Sequence, residues 1–111
     1  MKRKTNMTYH SRYERYDRLT YILEKIGDFG ETVAVAEQYD EVCERWAVLH
    51  LTSTGILIVK ALDGKVITAY IPRTGKAISV YKTCFGDKRM PNALYKRICW
   101  NQMYVNDQPS S

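Results

Sequence analysis

Apolar residues recur at three- and four-residue spacing between positions 9 and 26, which predicts one helix from His10 to Ile26 with a buried side. Gly27 and Gly30 follow at once and predict its end. Residues 31–46 stay ambiguous, because Thr32–Ala36 fits a short strand and 40–46 fits a turn of helix, and neither assignment is firm. The side of the first helix that we expect to be buried carries Tyr9, Tyr13, Tyr16, Leu19, Ile22, Leu23 and Ile26.

After Trp46 the apolar positions fall into short runs that are typical of strands, with a glycine in each loop between them. These runs predict an antiparallel meander of four strands. A three-residue loop that ends at Gly64 sets Lys60 opposite Val66 and Ile58 opposite Thr68. The predicted strands are Trp46–Leu51, Ile56–Leu62, Val66–Ile71 and Ala77–Lys82.

This register divides the predicted sheet into an apolar face and a mixed face. Leu49 and Leu51 join the apolar face if the loop before Ile56 has three residues, and His50 then joins the mixed face. We expect the first helix to pack on the apolar face, since no other surface offers matching area. The apolar face otherwise carries Leu57, Val59, Ala61, Ile67, Ala69, Ile71, Ile78 and Val80. The mixed face carries Lys60, Thr68, Tyr70, Ser79 and Tyr81, with Ile56, Ile58 and Val66 among them.

A last helix is predicted from Pro91, a favourable first helical residue, to about Tyr104. The fold class is therefore α+β, with an N-terminal helix packed on a four-stranded antiparallel meander and a C-terminal helix. Residues 1–8 form a basic arm, 9–105 a single domain and 106–111 a frayed tail. The buried side of the last helix is expected to carry Leu94, Tyr95, Ile98, Cys99 and Met103.

Length and composition are those of one ordinary globular domain, with 111 residues, 45% of them hydrophobic and 26% charged. The apolar stretch of a secretory signal is missing after the basic start, and no apolar run is long enough to span a bilayer. Cys43, Cys84 and Cys99 lack the spacing of a disulfide framework or a zinc site. We therefore expect a cytoplasmic protein with reduced, mostly structural thiols and no membrane partner.

Charge is distributed in blocks along the chain. Residues 1–25 carry a net charge of +4, residues 26–63 carry −5 and residues 64–111 carry +6. If the two basic ends meet in the fold, they form an electropositive surface of the kind that binds a phosphate backbone. A solvated basic surface without any partner is the alternative.

Two arginines of the first helix need an anion. Arg12 falls at the centre of the apolar side and Arg15 between Ile22 and Ile26, whereas Arg18 falls on the side facing water. A buried charge without a partner costs several kcal/mol, so each arginine must find one or reach solvent. The partner is either a ligand phosphate or a carboxylate of the acidic segment, from the set Glu31, Glu37, Asp40 and Glu44.

Metal and nucleotide chemistry find little support in the sequence. His10 and His50 are the two histidines, and no carboxylates cluster at helical spacing to complete a ligand set. The glycines match neither phosphate-loop pattern, and Thr74-Gly75-Lys76 is interpreted as the end of a hairpin. We expect no metal and no cofactor.

A helix that carries His10 and Arg15, followed by a meander with Lys60 on one strand and Thr68-x-Tyr70 on the next, resembles the barnase, EndoU, colicin and RelE-type group of small ribonucleases. The similarity covers residues 9–82, and the phage-associated and toxin members of the group are of this size. The resemblance implies a RelE-like fold and metal-independent cleavage or binding of RNA.

The same resemblance implies roles for individual residues. Arg15 and Lys60 would bind the phosphate, with Arg12, Ser79 and Tyr81 as further substrate contacts on the helix and the mixed face. The catalytic set would be His10 or His50 as acid or base, Lys60 as the cation at the phosphorane, and Thr68 and Tyr70 as residues that position the substrate.

Two other functions stay open. The chain is either a non-enzymatic inhibitor or adaptor that binds a protein or nucleic acid through the same basic face, or a structural protein. In the structural protein the terminal helix or a second copy of the chain covers the mixed face, because Ile56, Ile58 and Val66 make that face partly apolar.

Overall fold

The structure, a computed structural model, describes residues 17–40 and 44–109. A first helix, α1, is helical over 17–25 within the described part. The strands are β1 (Thr32–Asp40), β2 (Arg45–Thr52), β3 (Leu57–Ala61) and β4 (Val66–Tyr70). Two helices follow, α2 (Thr74–Phe85) and α3 (Asn92–Asn101), and then a 3-10 turn, Gln102–Tyr104. The predicted α+β class is confirmed, because a helix precedes a four-stranded antiparallel sheet and helices follow it.

The four strands are not the four that the sequence pattern predicted. The sheet has the order β1-β2-β3-β4, so the ambiguous segment supplies the first strand. Of residues 40–46, which also fit a turn of helix, Asp40 lies in β1 and Arg45 and Trp46 lie in β2, whereas 41–43 lie outside the described residues. Three predicted strands correspond to β2, β3 and β4. The fourth predicted strand, Ala77–Lys82, is wrong because these residues lie in α2.

Residues 77–82 fit both a strand and a helix, and the helical period prevails. Ala77, Val80 and Tyr81 are buried and have the three- and four-residue spacing of one side of a helix. Arg73 has extended backbone angles, and its carbonyl accepts the first helical hydrogen bond from the Ala77 amide at 3.1 Å. The predicted hairpin end at Thr74-Gly75-Lys76 is therefore the first turn of α2.

A β-bulge in β4 changes the predicted faces of the sheet. Lys60 pairs with Val66 as predicted, but Val59 then pairs with Thr68, so Ile67 has no partner of its own. Beyond this point Ile58 lies opposite Ala69 and not Thr68. The single continuous apolar face is thus wrong, because the bulge moves alternate residues of β4 to the other side.

Each face of the sheet packs against helices. On the face towards α2 and α3, the buried residues are Ala34, Ala36, Leu49, Leu51, Leu57, Ala77, Val80, Tyr81, Leu94 and Ile98. Those on the face towards α1 are Ile22, Ile26, Ile56, Ala69, Ile71 and Val105. Leu49 and Leu51 are in the core as predicted. The helix α1 packs near Ala69, one of its predicted contacts, whereas Leu57 and Val59 belong to the opposite face.

The helix α1 ends at the predicted glycine but presents a different side to the core. Gly27 has φ +106° and its amide donates to the Leu23 carbonyl at 3.1 Å. Ile22 is buried, whereas Leu23 is exposed and Arg18 is buried, which reverses the prediction for both. Arg18 lies one turn before Ile22, so its long side chain can follow the buried side to the edge of the sheet.

The helix α3 is also rotated from its predicted orientation. Leu94 and Ile98 are buried as expected, but Tyr95, Cys99 and Met103 are exposed. The buried side includes Asn101 instead, because its Nδ2 donates to the Thr54 carbonyl at 2.8 Å. This bond holds α3 against the loop between β2 and β3.

None of the helices within the described ranges combines the length and apolar character that a membrane span requires.

Candidate anion-binding groove

A groove of about 730 Å³ lies beside β4, the strand at one edge of the sheet. Its walls come from α1, β4, the start of α2 and the segment after the 3-10 turn. The lining residues are Arg18, Thr68, Tyr70, Ile71, Arg73, Lys76, Val105, Asn106, Gln108 and Pro109. These described lining residues include three cations and neither a carboxylate nor a histidine.

Arg18 is the most deeply buried of the three cations, with 8% of its surface exposed. Its Nη1 donates a hydrogen bond to the Thr68 hydroxyl at the edge of the sheet. No ion pair joins Arg18 to a carboxylate of the described residues. Among the described residues the partner of this buried guanidinium is a neutral hydroxyl, which does not compensate its charge, and the groove is where an anion can reach it.

The other two cations are also held by neutral oxygens. Arg73 Nη2 donates to Asn106 Oδ1 at 3.2 Å, and Lys76 Nζ donates to Gln38 Oε1 of β1. Amide oxygens orient these side chains without neutralising them, so the groove keeps its positive potential.

The C-terminal segment, predicted to be a frayed tail, forms one wall of the groove as far as residue 109. The amide of Gln108 binds the backbone of Ile71 twice, since Oε1 accepts from its N–H at 2.8 Å and Nε2 donates to its carbonyl at 2.9 Å. Tyr21 of α1 donates to the Tyr104 carbonyl at 2.9 Å. These bonds fix the wall on both sides of Val105.

Among the described lining residues, Tyr70 carries the phenolic hydroxyl. Burial raises the pKa of Tyr70 above its usual value, so the hydroxyl keeps its proton at neutral pH. Asp107 lies between two lining residues in sequence but is not part of the lining. Burial first, and then the charge of Asp107, raise the pKa of Tyr21.

The structure brings together only part of the predicted site. Thr68 and Tyr70 meet in the groove. His50 and Lys60 lie on the other face of the sheet, where burial first and Lys60 second lower the pKa of the imidazole. His50 Nδ1 lies 3.2 Å from the Thr32 hydroxyl.

The remaining predicted residues lie elsewhere. Ser79 and Tyr81 were placed on the mixed face of a strand, which is wrong: Ser79 is exposed on α2, and Tyr81 is buried beneath that helix with its ring 4.7 Å from Phe85. His10, Arg12 and Arg15 lie outside the described residues.

Sequence reasoning missed Arg18, Arg73, Lys76 and Gln108. A signal existed for two of them, because Pro72-Arg73-Thr74-Gly75-Lys76 reads equally well as the start of a helix. Gln108 carried no sequence signal, since its two bonds depend on the tertiary position of the tail.

Metal ligands do not gather in this part of the chain: residues 17–40 and 44–109 hold no group of three His, Cys, Asp or Glu side chains that could bind an ion. Comparison with protein-family models, curated proteins and solved structures finds no significant match for the chain. The resemblance to small ribonucleases therefore stays a prediction.

Proposed function

We propose that this protein binds RNA by holding several backbone phosphates in the groove beside β4. The observation that carries the proposal is the lining itself, in which Arg18, Arg73 and Lys76 are all bonded to neutral oxygens. Three cations and no carboxylate among the described lining residues favour an anionic ligand. RNA is the polyanion that the resemblance to small ribonucleases implies.

The spread of charge favours a polyanion over a single phosphate. Lys76 is held by Gln38 of β1, and Arg18 by Thr68 of β4. These strands are the two edges of the sheet, three spacings of ~4.8 Å apart. Successive phosphates of one strand rise by ~3.4 Å in a duplex, so a span of this size suits several of them.

The salt dependence of binding tests this proposal. A labelled single-stranded RNA is titrated with the protein at several salt concentrations, and binding is followed by fluorescence anisotropy. Three phosphate contacts on a single strand predict a slope of about −2 in log K against log salt. Arg73→Gln and Lys76→Gln should each reduce the magnitude of the slope by ~0.7, because each removes one contact.

The matched control is Lys82→Gln, an exposed lysine of the same helix that lies outside the groove. This variant loses the same formal charge as Lys76→Gln and should leave the slope nearly unchanged. Arg18→Met keeps the apolar stem of the buried side chain and should weaken binding without unfolding the protein, as checked by circular dichroism. Equal losses for Lys82→Gln and Lys76→Gln would reject the groove as the binding site.

Cleavage of RNA is the second candidate, and Tyr70 is the observation that favours it. Its protonated hydroxyl lies in the same groove as Arg18 and Thr68, where it can serve as the acid that protonates a leaving oxygen. A base to deprotonate the 2′-hydroxyl has no counterpart among the described lining residues, so binding without cleavage is the function we favour. RNA incubated with the protein in EDTA should stay intact, whereas cleavage that Tyr70→Phe abolishes would favour the enzyme.

A further inference from the structure

The outward side of α3 is unusually apolar for a surface helix. Trp100 has 61% of its surface exposed, Met103 has 55% and Tyr95 has 43%, and the Cys99 thiol is free and exposed. Tyr95, Cys99 and Met103 follow one another at four-residue spacing, so they form one ridge along the helix and the 3-10 turn. Lys96 and Trp100 form a second ridge beside it.

We propose that a second copy of the chain covers this surface, with the two α3 helices packed antiparallel about a twofold axis at Cys99. With this axis, a residue that lies a given number of positions before Cys99 in one copy faces the residue that lies the same number of positions after Cys99 in the second copy. Tyr95 of one copy then lies against Met103 of the second copy, which gives a sulfur–aromatic contact at each end of the ridge. The two Cys99 thiols lie together at the centre.

The second ridge is self-complementary in the same arrangement. Lys96 lies three residues before Cys99 and Trp100 one residue after it, on the same flank of the helix. The twofold axis places Lys96 of one copy opposite position 102 of the second copy. Trp100 of that second copy is two residues away, which is ~3 Å along the helix. An ammonium group beside an indole ring makes a favourable cation–π contact, and the axis produces this contact twice.

The size of the surface predicts a reversible dimer. At ~150–250 Å² for a fully buried aromatic side chain, the exposed parts of Tyr95, Trp100 and Met103 offer roughly 300 Å² per copy. Stable specific complexes bury ~800 Å² per partner, so this surface belongs with weak, transient interfaces. We therefore expect the protein to be a monomer when dilute and a dimer when concentrated.

Cross-linking at Cys99 tests the axis directly. A chain with Cys43→Ser and Cys84→Ser keeps Cys99 alone, and a short bismaleimide should join two copies of it. The control keeps Cys84, also exposed but on α2, and replaces Cys43 and Cys99 with serine. Dimer from the first chain and little from the control is the expected result, and equal cross-linking of both would overturn the proposal.

Sedimentation equilibrium measures the association without any cross-linker. Trp100→Ala should weaken dimerisation ~30-fold, as expected for a central aromatic contact. Lys96→Gln should weaken it ~2- to 5-fold, and Lys96→Arg should restore it because arginine also makes the cation–π contact. A protein that stays monomeric at its highest soluble concentration, or unchanged association of Trp100→Ala, would contradict the proposal whatever the outcome of the RNA measurements.

Discussion

Replacing Gly55 with alanine tests how closely the loop between β2 and β3 packs against α3. Gly55 has φ +83°, a conformation that costs a residue with a side chain ~1–2 kcal/mol. An added Cβ would also lie 2.6 Å from Nδ2 of Asn101. Nδ2 holds the hydrogen bond to the Thr54 carbonyl, and Oδ1 accepts none from the described residues. Pushing this buried amide aside should cost a further ~1–3 kcal/mol.

The free energy of unfolding of Gly55→Ala should therefore fall by ~2–5 kcal/mol. Gly64→Ala is the matched control, because Gly64 has a similar φ of +93° but no atom within 4 Å of an added Cβ. This control should cost only the ~1–2 kcal/mol of backbone strain. Urea denaturation of both variants, followed by circular dichroism, gives the difference. Costs that agree within ~0.5 kcal/mol would refute the close packing of the loop on Asn101.

Three further changes have clear expected outcomes. Ile98→Ala removes a fully buried side chain and should cost ~2–5 kcal/mol in urea denaturation, whereas Leu62→Ala, at an exposed turn, should cost less than ~0.5 kcal/mol. The pKa of His50 is lowered in the folded protein, so its contribution to stability is present above the unfolded value of ~6.5 and is lost as pH falls through the folded value. The charge of Lys60 is the smaller of the two causes that lower this pKa, after burial, so Lys60→Met should raise the pKa of His50 in an NMR titration. An unchanged pKa would contradict the contribution of Lys60. Gln108→Ala leaves two backbone groups at the end of β4 without their partner and should lower thermal stability by ~1–3 kcal/mol, so an unchanged melting temperature would show that the tail does not brace the sheet.

The fold class could be predicted from the sequence because it depends on the order of helices and strands, and an error in one element or one face does not change that order. The glycine loop at Gly64, the pairing of Lys60 with Val66 and the end of α1 at Gly27 all follow from local turn chemistry, and all three are confirmed. Residues 77–82 were assigned to the wrong element because their apolar positions fit both the two-residue period of a strand and the 3.6-residue period of a helix. Only packing against β1 and β2 decides between them.

The candidate site was harder to predict because its residues meet only through tertiary structure. Thr68 and Tyr70 lie two apart on one strand, so their proximity could be predicted. Arg18 was assigned to the watery side because Tyr9, Tyr13 and Tyr16 shifted the expected buried side away from it. The packing of α1 instead uses Ile22 and Ile26, and Arg18 lies on that side of the helix, one turn before Ile22. His50 and Lys60 were separated from Thr68 by the single bulge, which no periodicity of the sequence reveals.

The bulge at Ile67 makes β4 tolerant of one change in its length. Loss of the single codon for Ile67 would restore regular alternation along β4 while Lys60 kept its place in the ladder. Thr68 would then follow Val66 directly and keep its pairing with Val59, so Thr68 and Tyr70 would stay on their present face and Ala69 on the other. Such an in-frame deletion would spare both apolar layers and the groove, whereas loss of Ala69 would turn Tyr70 to the wrong side of the sheet.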